Sequence, residues 1–193
     1  MDPRLVKAAA TGNVEYLCSL MKEDMLLLDT VVLVGAETPL HIASMRGHLS
    51  FVQEMVKLKR EFAYELNQDG FTPLHLASAC GHVQVVHELL KLDQNLCTIQ
   101  GKEGRLALHC AAVKGRIDVM KALLSTSPPT VETKTARGDT PLHIAVKNNQ
   151  FHALKLLVEH VKEFKKEGVL NDKDNQGNTV LHLAASRKQY EAC

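Results

Sequence analysis

A fixed period limits this chain more than any other feature. Thr38-Pro39-Leu40-His41 returns as Thr72-Pro73-Leu74-His75 and as Thr140-Pro141-Leu142-His143. Leu106-Ala107-Leu108-His109 is a degenerate copy, and Thr179-Val180-Leu181-His182 a near one. The starts at 38, 72, 106, 140 and 179 are separated by 34, 34, 34 and 39 residues. A period in the range of about 20–50 residues marks a stacked-repeat architecture, because one such unit cannot bury its apolar face alone. An earlier unit starting at Pro3 keeps the frame without the motif. The 193 residues therefore divide into units near 3, 38, 72, 106, 140 and 179 of one repeat domain spanning 1–193. The first is expected to be an N-terminal cap, with Lys7 and Val6 in place of the apolar residue and the His, and the last to be cut short. A chain that is 4% aromatic, with no Trp, suits thin stacked units with aliphatic and small-residue cores.

The rest of the sequence lines up on this frame. Leu5, Leu40, Leu74, Leu108, Leu142 and Leu181 stand two residues in, and Ala8, Ala43, Ala77, Ala111, Ala145 and Ala184 five in. Nine residues in come Gly12, Gly47, Gly81 and Gly115, then Asn149 and Lys188. Farther on, Val85-Val86 with Leu89-Leu90 matches Val119-Met120 with Leu123-Leu124, Phe51-Val52 with Met55-Val56, and Tyr16-Leu17 with Leu20-Met21. That spacing is one apolar face of a helix. Each unit thus predicts two short antiparallel helices. Thr caps the first, Pro starts it where an N–H would be orphaned anyway, and Gly ends it in the left-handed conformation. Asn67-Gln68-Asp69-Gly70, Gly101-Lys102-Glu103-Gly104, Ala136-Arg137-Gly138-Asp139 and Asp174-Asn175-Gln176-Gly177 read as turns.

On these residues the sequence resembles the ankyrin repeat family from 3 to 193, most closely in Asp69 to Leu90, DGFTPLHLASACGHVQVVHELL. The resemblance implies an all-α ankyrin-repeat solenoid of stacked helix pairs with short β-hairpin fingers at one edge. It also implies a protein-binding scaffold, with partners meeting the finger tips and the concave face of the first helices. Carried over by frame, the fingers offer Gln68, Asp69 and Phe71, then Lys102, Glu103 and Arg105, then Arg137 and Asp139, then Asn175, Gln176 and Asn178. The first helices offer Met45, Arg46, Ala79, Cys80, Val113, Lys114, Lys147 and Asn148. Phe71 is the expected anchor, since aromatics are enriched at interface cores. Arg46, Arg105, Lys114, Arg137 and Lys147 give the groove a basic tint that suits an acidic partner; the other reading is ordinary solvated charge.

Several function classes drop out. With 23 Lys and Arg against 22 Asp and Glu there is no basic excess for nucleic acid. No run approaches ~18 uninterrupted apolar residues, so this segment is not expected to enter a membrane. The start Met1-Asp2-Pro3-Arg4 lacks the order of a signal peptide. Five cysteines, an odd count without C-x-x-C, point to a reducing compartment such as the cytosol. No phosphate loop, nucleophile elbow or paired His-Glu metal motif occurs, so neither an enzyme nor a cofactor is expected. Five of the ten His (His41, His75, His109, His143 and His182) share one repeat position. Units roughly 10 Å apart cannot share one zinc ion, so these rings are expected to tie units together. His48 and His82 share a second position, and His87, His152 and His160 read as solvated outer-helix residues. Cys110 shares a core column with Ile42, Leu76, Ile144 and Leu183, while Cys80 sits on the concave side.

The departures from regularity carry further expectations. Val31-Val32-Leu33-Val34 and Ala36 place an apolar finger where others are polar, either packed on its neighbours or exposed for contact. The five extra residues before the last unit, around 161–168, make either a longer solvated helix and loop or a partner-specific elaboration. Tyr190, Ala192 and Cys193 begin a second helix, so the chain is expected to continue or to be covered by another chain. MDPRLVKAAATGNVEYLCSLM and DNQGNTVLHLAA, with the long final insertion, resemble plant ankyrin proteins whose repeats precede a membrane-spanning PGG domain. That resemblance implies a cytosolic module of a membrane-anchored immune or stress regulator, held at the plasma membrane by a region beyond Cys193. The alternative is a soluble adaptor or transcription co-regulator of cytosol and nucleus.

Overall fold

Each copy of the tetrapeptide starts a helix in the computed structural model, which describes residues 1–29, 31 and 37–187. The expectations placed on Val32, Leu33, Val34 and Ala36, on Lys188, and on Tyr190, Ala192 and Cys193 lie outside the described residues. The described residues form α1 Pro3–Thr11, α2 Val14–Glu23, α3 Pro39–Arg46, α4 Leu49–Leu58, α5 Pro73–Cys80 and α6 Val83–Leu92. Then come α7 Ala107–Lys114, α8 Ile117–Thr126, α9 Pro141–Lys147, α10 Phe151–Glu163 and α11 Val180–Ser186. Odd-numbered helices pack in one row, α1 on α3 on α5 on α7 on α9 on α11, and even-numbered ones in a second row behind it. The aliphatic frame positions of both rows fuse into one buried cluster from Leu5 to Ala184.

The column of His holds the units in register. His41 Nδ1 takes the Thr38 backbone N–H at 3.1 Å, and its Nε2 meets the Phe71 carbonyl of the next unit at 3.0 Å. His75, His109 and His143 repeat this, with Nε2 on Arg105 O at 2.9 Å, Thr133 O at 3.0 Å and Asn178 O at 3.1 Å. A backbone N–H only donates and a carbonyl only accepts, so the ring is neutral with its proton on Nε2. Thr38 and Thr140 complete the cap by accepting the His backbone N–H. A second column reaches backward: His48 Nε2 to Ala10 O and His82 Nε2 to Met45 O, each 3.0 Å, then Arg116 Nε to Ala79 O at 3.2 Å.

The glycine nine residues into the unit meets two demands at once. Gly47 closes α3 with φ 79°, and a Cβ there would lie 2.5 Å from His82 Nδ1. Asn149 fills the same place at φ 57°, a conformation that Asn tolerates better than most residues.

The fingers are shorter than paired strands, and no strand occurs among the described residues. In the second finger Asn67 N–H donates to Phe71 O at 3.0 Å and Gly70 N–H to Asn67 O at 2.8 Å. Each finger is tied to the next by one backbone bond: Lys102 N to Gly70 O and Ala136 N to Glu103 O, both 2.7 Å, then Asn175 N to Arg137 O at 3.1 Å. One bond per neighbour leaves the hairpin as a turn.

Two placements differ from the repeat reading. His160 is not a solvated outer residue: it is only 9% exposed, because α10 runs one turn longer than α4, α6 and α8 and Phe164 stacks on its ring at 4.5 Å. Leu181 is 57% exposed although Leu40, Leu74, Leu108 and Leu142 in the same column are buried.

The buried rings dictate a pH dependence. Burial pushes His41, His75 and His109 down to a pKa of about 4. Once unfolded they titrate near 6.5. Between pH about 6.5 and about 4 the unfolded chain binds more protons, so stability is level above that window and falls with pH through it. Each ring can contribute a loss on the order of 3 kcal/mol. Urea midpoints should be level between pH 8 and 7 and then fall progressively at pH 6, 5 and 4.5. A second expectation concerns Ser44 and Ser78, whose buried hydroxyls have no partner. Ala9, Ala112 and Val146 fill that position in other units. Ser78→Ala should raise the urea midpoint, by about 1 kcal/mol of stability, since a buried unpaired hydroxyl carries its desolvation cost uncompensated.

Candidate functional site

The concave face is built from finger residues and the exposed sides of the first helices. Gln68, Asp69, Lys102 and Arg137 are exposed at the finger tips, as are Asn175 and Gln176, with Asn178 half-buried. Met45, Arg46 and Lys114 are exposed along the helices, and Cys80 and Asn148 are half-buried.

The charges on this face are not equally available. Lys147 Nζ lies 2.5 Å from Asp139 Oδ1 and 2.9 Å from Asp174 Oδ2. Asp139 is only 4% exposed, so it supports the site from inside and presents nothing to a partner. Burial alone would raise Asp174, but Lys147 and the N–H groups of Asn178 and Gln176 outweigh it and hold the carboxyl at about 2. Asn148 spends its amide on Ile144 O at 2.8 Å. Glu103 sits at φ 58° and pairs with both Arg105 and Arg137 at 3.0 Å. Those pairs, Arg137 first, hold its carboxyl below the usual range. Arg46 and Lys114 make no ion pair among the described residues.

Phe71 does not stand out from its finger as a bare anchor. It is half-buried, tilted against the His75 ring at 5.7 Å. It borders a cavity of about 170 Å³ between α5 and α7, walled by Phe71, Leu76, Ala79, Cys110 and Val113, with Arg105 and Lys114 beside them. The structure therefore brings together five of the expected binding residues, Phe71, Ala79, Arg105, Val113 and Lys114. Met45, Arg46 and Arg137 lie outside the cavity. Leu76 and Cys110 are the wall residues that a surface reading overlooks. A signal for them exists: Cys110 is the one small side chain in a column of Ile and Leu, and the missing volume opens the cavity.

The chemistry available here is binding. Burial pushes the Cys110 thiol up to about 11, with Arg105 a weak opposing influence, so it stays protonated at neutral pH. His75 cannot act as its base, because Nδ1 is held by Thr72 and Nε2 by Arg105 O. Among the described residues no group of three or more His, Cys, Asp or Glu is arranged to hold a metal ion. No helix there is long and apolar enough to cross a membrane.

A family model described as ankyrin repeats in three copies matches residues 5–100, 63–133 and 127–193. No curated protein is similar enough to count as a relative.

The internal pairing of Lys147 predicts its mutant. Lys147→Ala strands two nearly buried carboxylates, and breaking such a pair typically costs about 3–5 kcal/mol. Because Lys147 is itself one quarter exposed, about half of that is expected. Chemical denaturation at pH 7 should show the loss, and adding Asp139→Asn and Asp174→Asn should recover most of it.

Proposed function

The chain belongs to the ankyrin repeat family, whose stacked repeats form protein–protein interaction domains, and we propose that its partner docks on the cavity between α5 and α7. The observation that carries this reading is an apolar hollow bordered by cations: Phe71, Leu76, Ala79, Cys110 and Val113 with Arg105 and Lys114. An apolar side chain of a partner would fill the hollow, and an adjacent Asp or Glu would pair with Lys114, which has no ion pair among the described residues. Gln68, Asp69, Lys102 and Arg46, with the apolar Met45, would form the rim around that anchor, where contacts add complementarity more than energy. On this reading residues 1–193 act as one interaction domain, without catalysis or cofactor.

The wider role rests on resemblance. The opening MDPRLVKAAATGNVEYLCSLM and the stretch DNQGNTVLHLAA support a place among plant ankyrin proteins anchored in the plasma membrane that regulate immunity or stress signalling. In that setting this segment would lie on the cytosolic side.

A random peptide library selected on the protein should return sequences pairing an apolar residue with Asp or Glu. Phe71→Ala combined with Lys114→Glu should weaken the selected peptides at least tenfold, and Lys114→Glu alone should weaken them while leaving the thermal midpoint nearly unchanged. Arg105→Glu is a poorer probe, since it sets a second carboxylate beside Glu103 and disturbs the finger. Peptides without acidic residues, or binding unaffected by the double variant, would sink the proposal.

A further inference from the structure

The insertion before the last unit builds a second hollow on the opposite row of helices. α4, α6 and α8 stop at Leu58, Leu92 and Thr126, the frame position of His160. α10 continues to Glu163, and the chain closes with Phe164 N–H on His160 O at 3.0 Å and Lys166 N–H on Val161 O at 2.9 Å. The closure holds Lys165 at φ 54°, a conformation a lysine rarely adopts. The extra turn buries His160 beneath Phe164 and leaves a cavity of about 320 Å³ between α8 and α10. Leu124, Leu156 and Phe164 supply its apolar surface, and Lys121, Ser125, Glu159, His160 and Glu163 its polar groups.

Two features of this hollow, and one sealed beneath it, are unsatisfied. His160 is more than nine-tenths buried, yet its Nε2 has no hydrogen-bond partner. Glu159 and Glu163 stand four residues apart on one helix face, a like-charge spacing that destabilises a helix. Neither takes an ion pair from Lys121, Lys155 or Lys162. The Phe164 ring is 46% exposed on the solvent side.

We infer that this hollow receives an arginine side chain presented by a protein partner. A guanidinium is flat, weakly hydrated and carries five N–H donors, which matches a wall of acceptors. Its plane would lie on the open face of Phe164, and its edge would pair with Glu163 and Glu159. Two carboxylates against the single ammonium of Lys121 leave the mouth net negative. Lysine fits less well, because a compact, strongly hydrated ammonium neither stacks nor forks. This surface is separate from the concave cavity, so a partner could engage both at once.

Titration of the ¹⁵N-labelled protein with N-acetyl-arginine amide, followed at the His160 imidazole nitrogens, tests the inference. A saturable shift is expected, with N-acetyl-lysine amide at least fivefold weaker. Glu163→Gln and Phe164→Ala should each weaken arginine at least fivefold, and Phe71→Ala should leave the titration unchanged. Both Glu163 and Phe164 are exposed enough that thermal melts can verify folding, and Glu163→Gln alone decides if Phe164→Ala does not fold. A non-saturable shift, equal response to lysine, indifference to Glu163→Gln, or stoichiometric zinc on His160 would overturn it.

Discussion

The stack depends on a neutral imidazole that reads two chains of backbone at once. His41, His75, His109 and His143 each complete the cap of their own helix through Nδ1 and hold the next finger through Nε2. A buried polar group is tolerable only when paired, and here both ring nitrogens are paired by groups that cannot reverse their roles. The tautomer, the rotamer and the repeat spacing are therefore set together. Protonation would put a donor against the capped N–H, which is why burial and proton affinity pull the same way.

The fingers hang from this column and inherit its geometry. The carbonyls of Phe71, Arg105 and Asn178 that accept from the rings are finger residues, so each finger's side chains are aimed by the histidine of the preceding unit. That fixes Phe71 and Arg105 on opposite sides of one hollow. It also fixes which charges remain free. Lys147 is spent on Asp139 and Asp174, and Arg105 and Arg137 share Glu103, while Lys114 has no carboxylate partner among the described residues. A uniformly basic groove is thereby narrowed to a local feature.

Irregular places in the repeat mark where the molecule departs from a generic scaffold. Cys110 in a column of branched aliphatic residues leaves room on the concave side. The insertion after α10 makes room behind it, and it does so at the expense of a left-handed lysine and an unpaired buried imidazole. Structure that carries such uncompensated features in an otherwise satisfied stack is a reasonable place to look for binding.

The helix pairs, their caps and the left-handed glycines were legible in the sequence, because each rests on local rules repeated at one period. Thr and Pro at a helix start, Gly at its end and the aliphatic pairs behind need no knowledge of distant residues. The role of the His column was legible for the same reason: rings at one frame position meet equivalent partners in four of five units, while among the described residues His182 makes only the cap contact with Thr179. What only the tertiary structure decided was which side chains are spent on one another. Asp139 and Lys147 look like surface charges until Asp174, from the next finger, closes on them. His160 looks solvated until an added turn folds Phe164 over it. Phe71 looks like a projecting anchor until its ring is seen tilted against His75 at the edge of the hollow. Periodicity specifies backbone because backbone bonding is local, whereas pairing between side chains of neighbouring units depends on volumes and distances that no single unit contains.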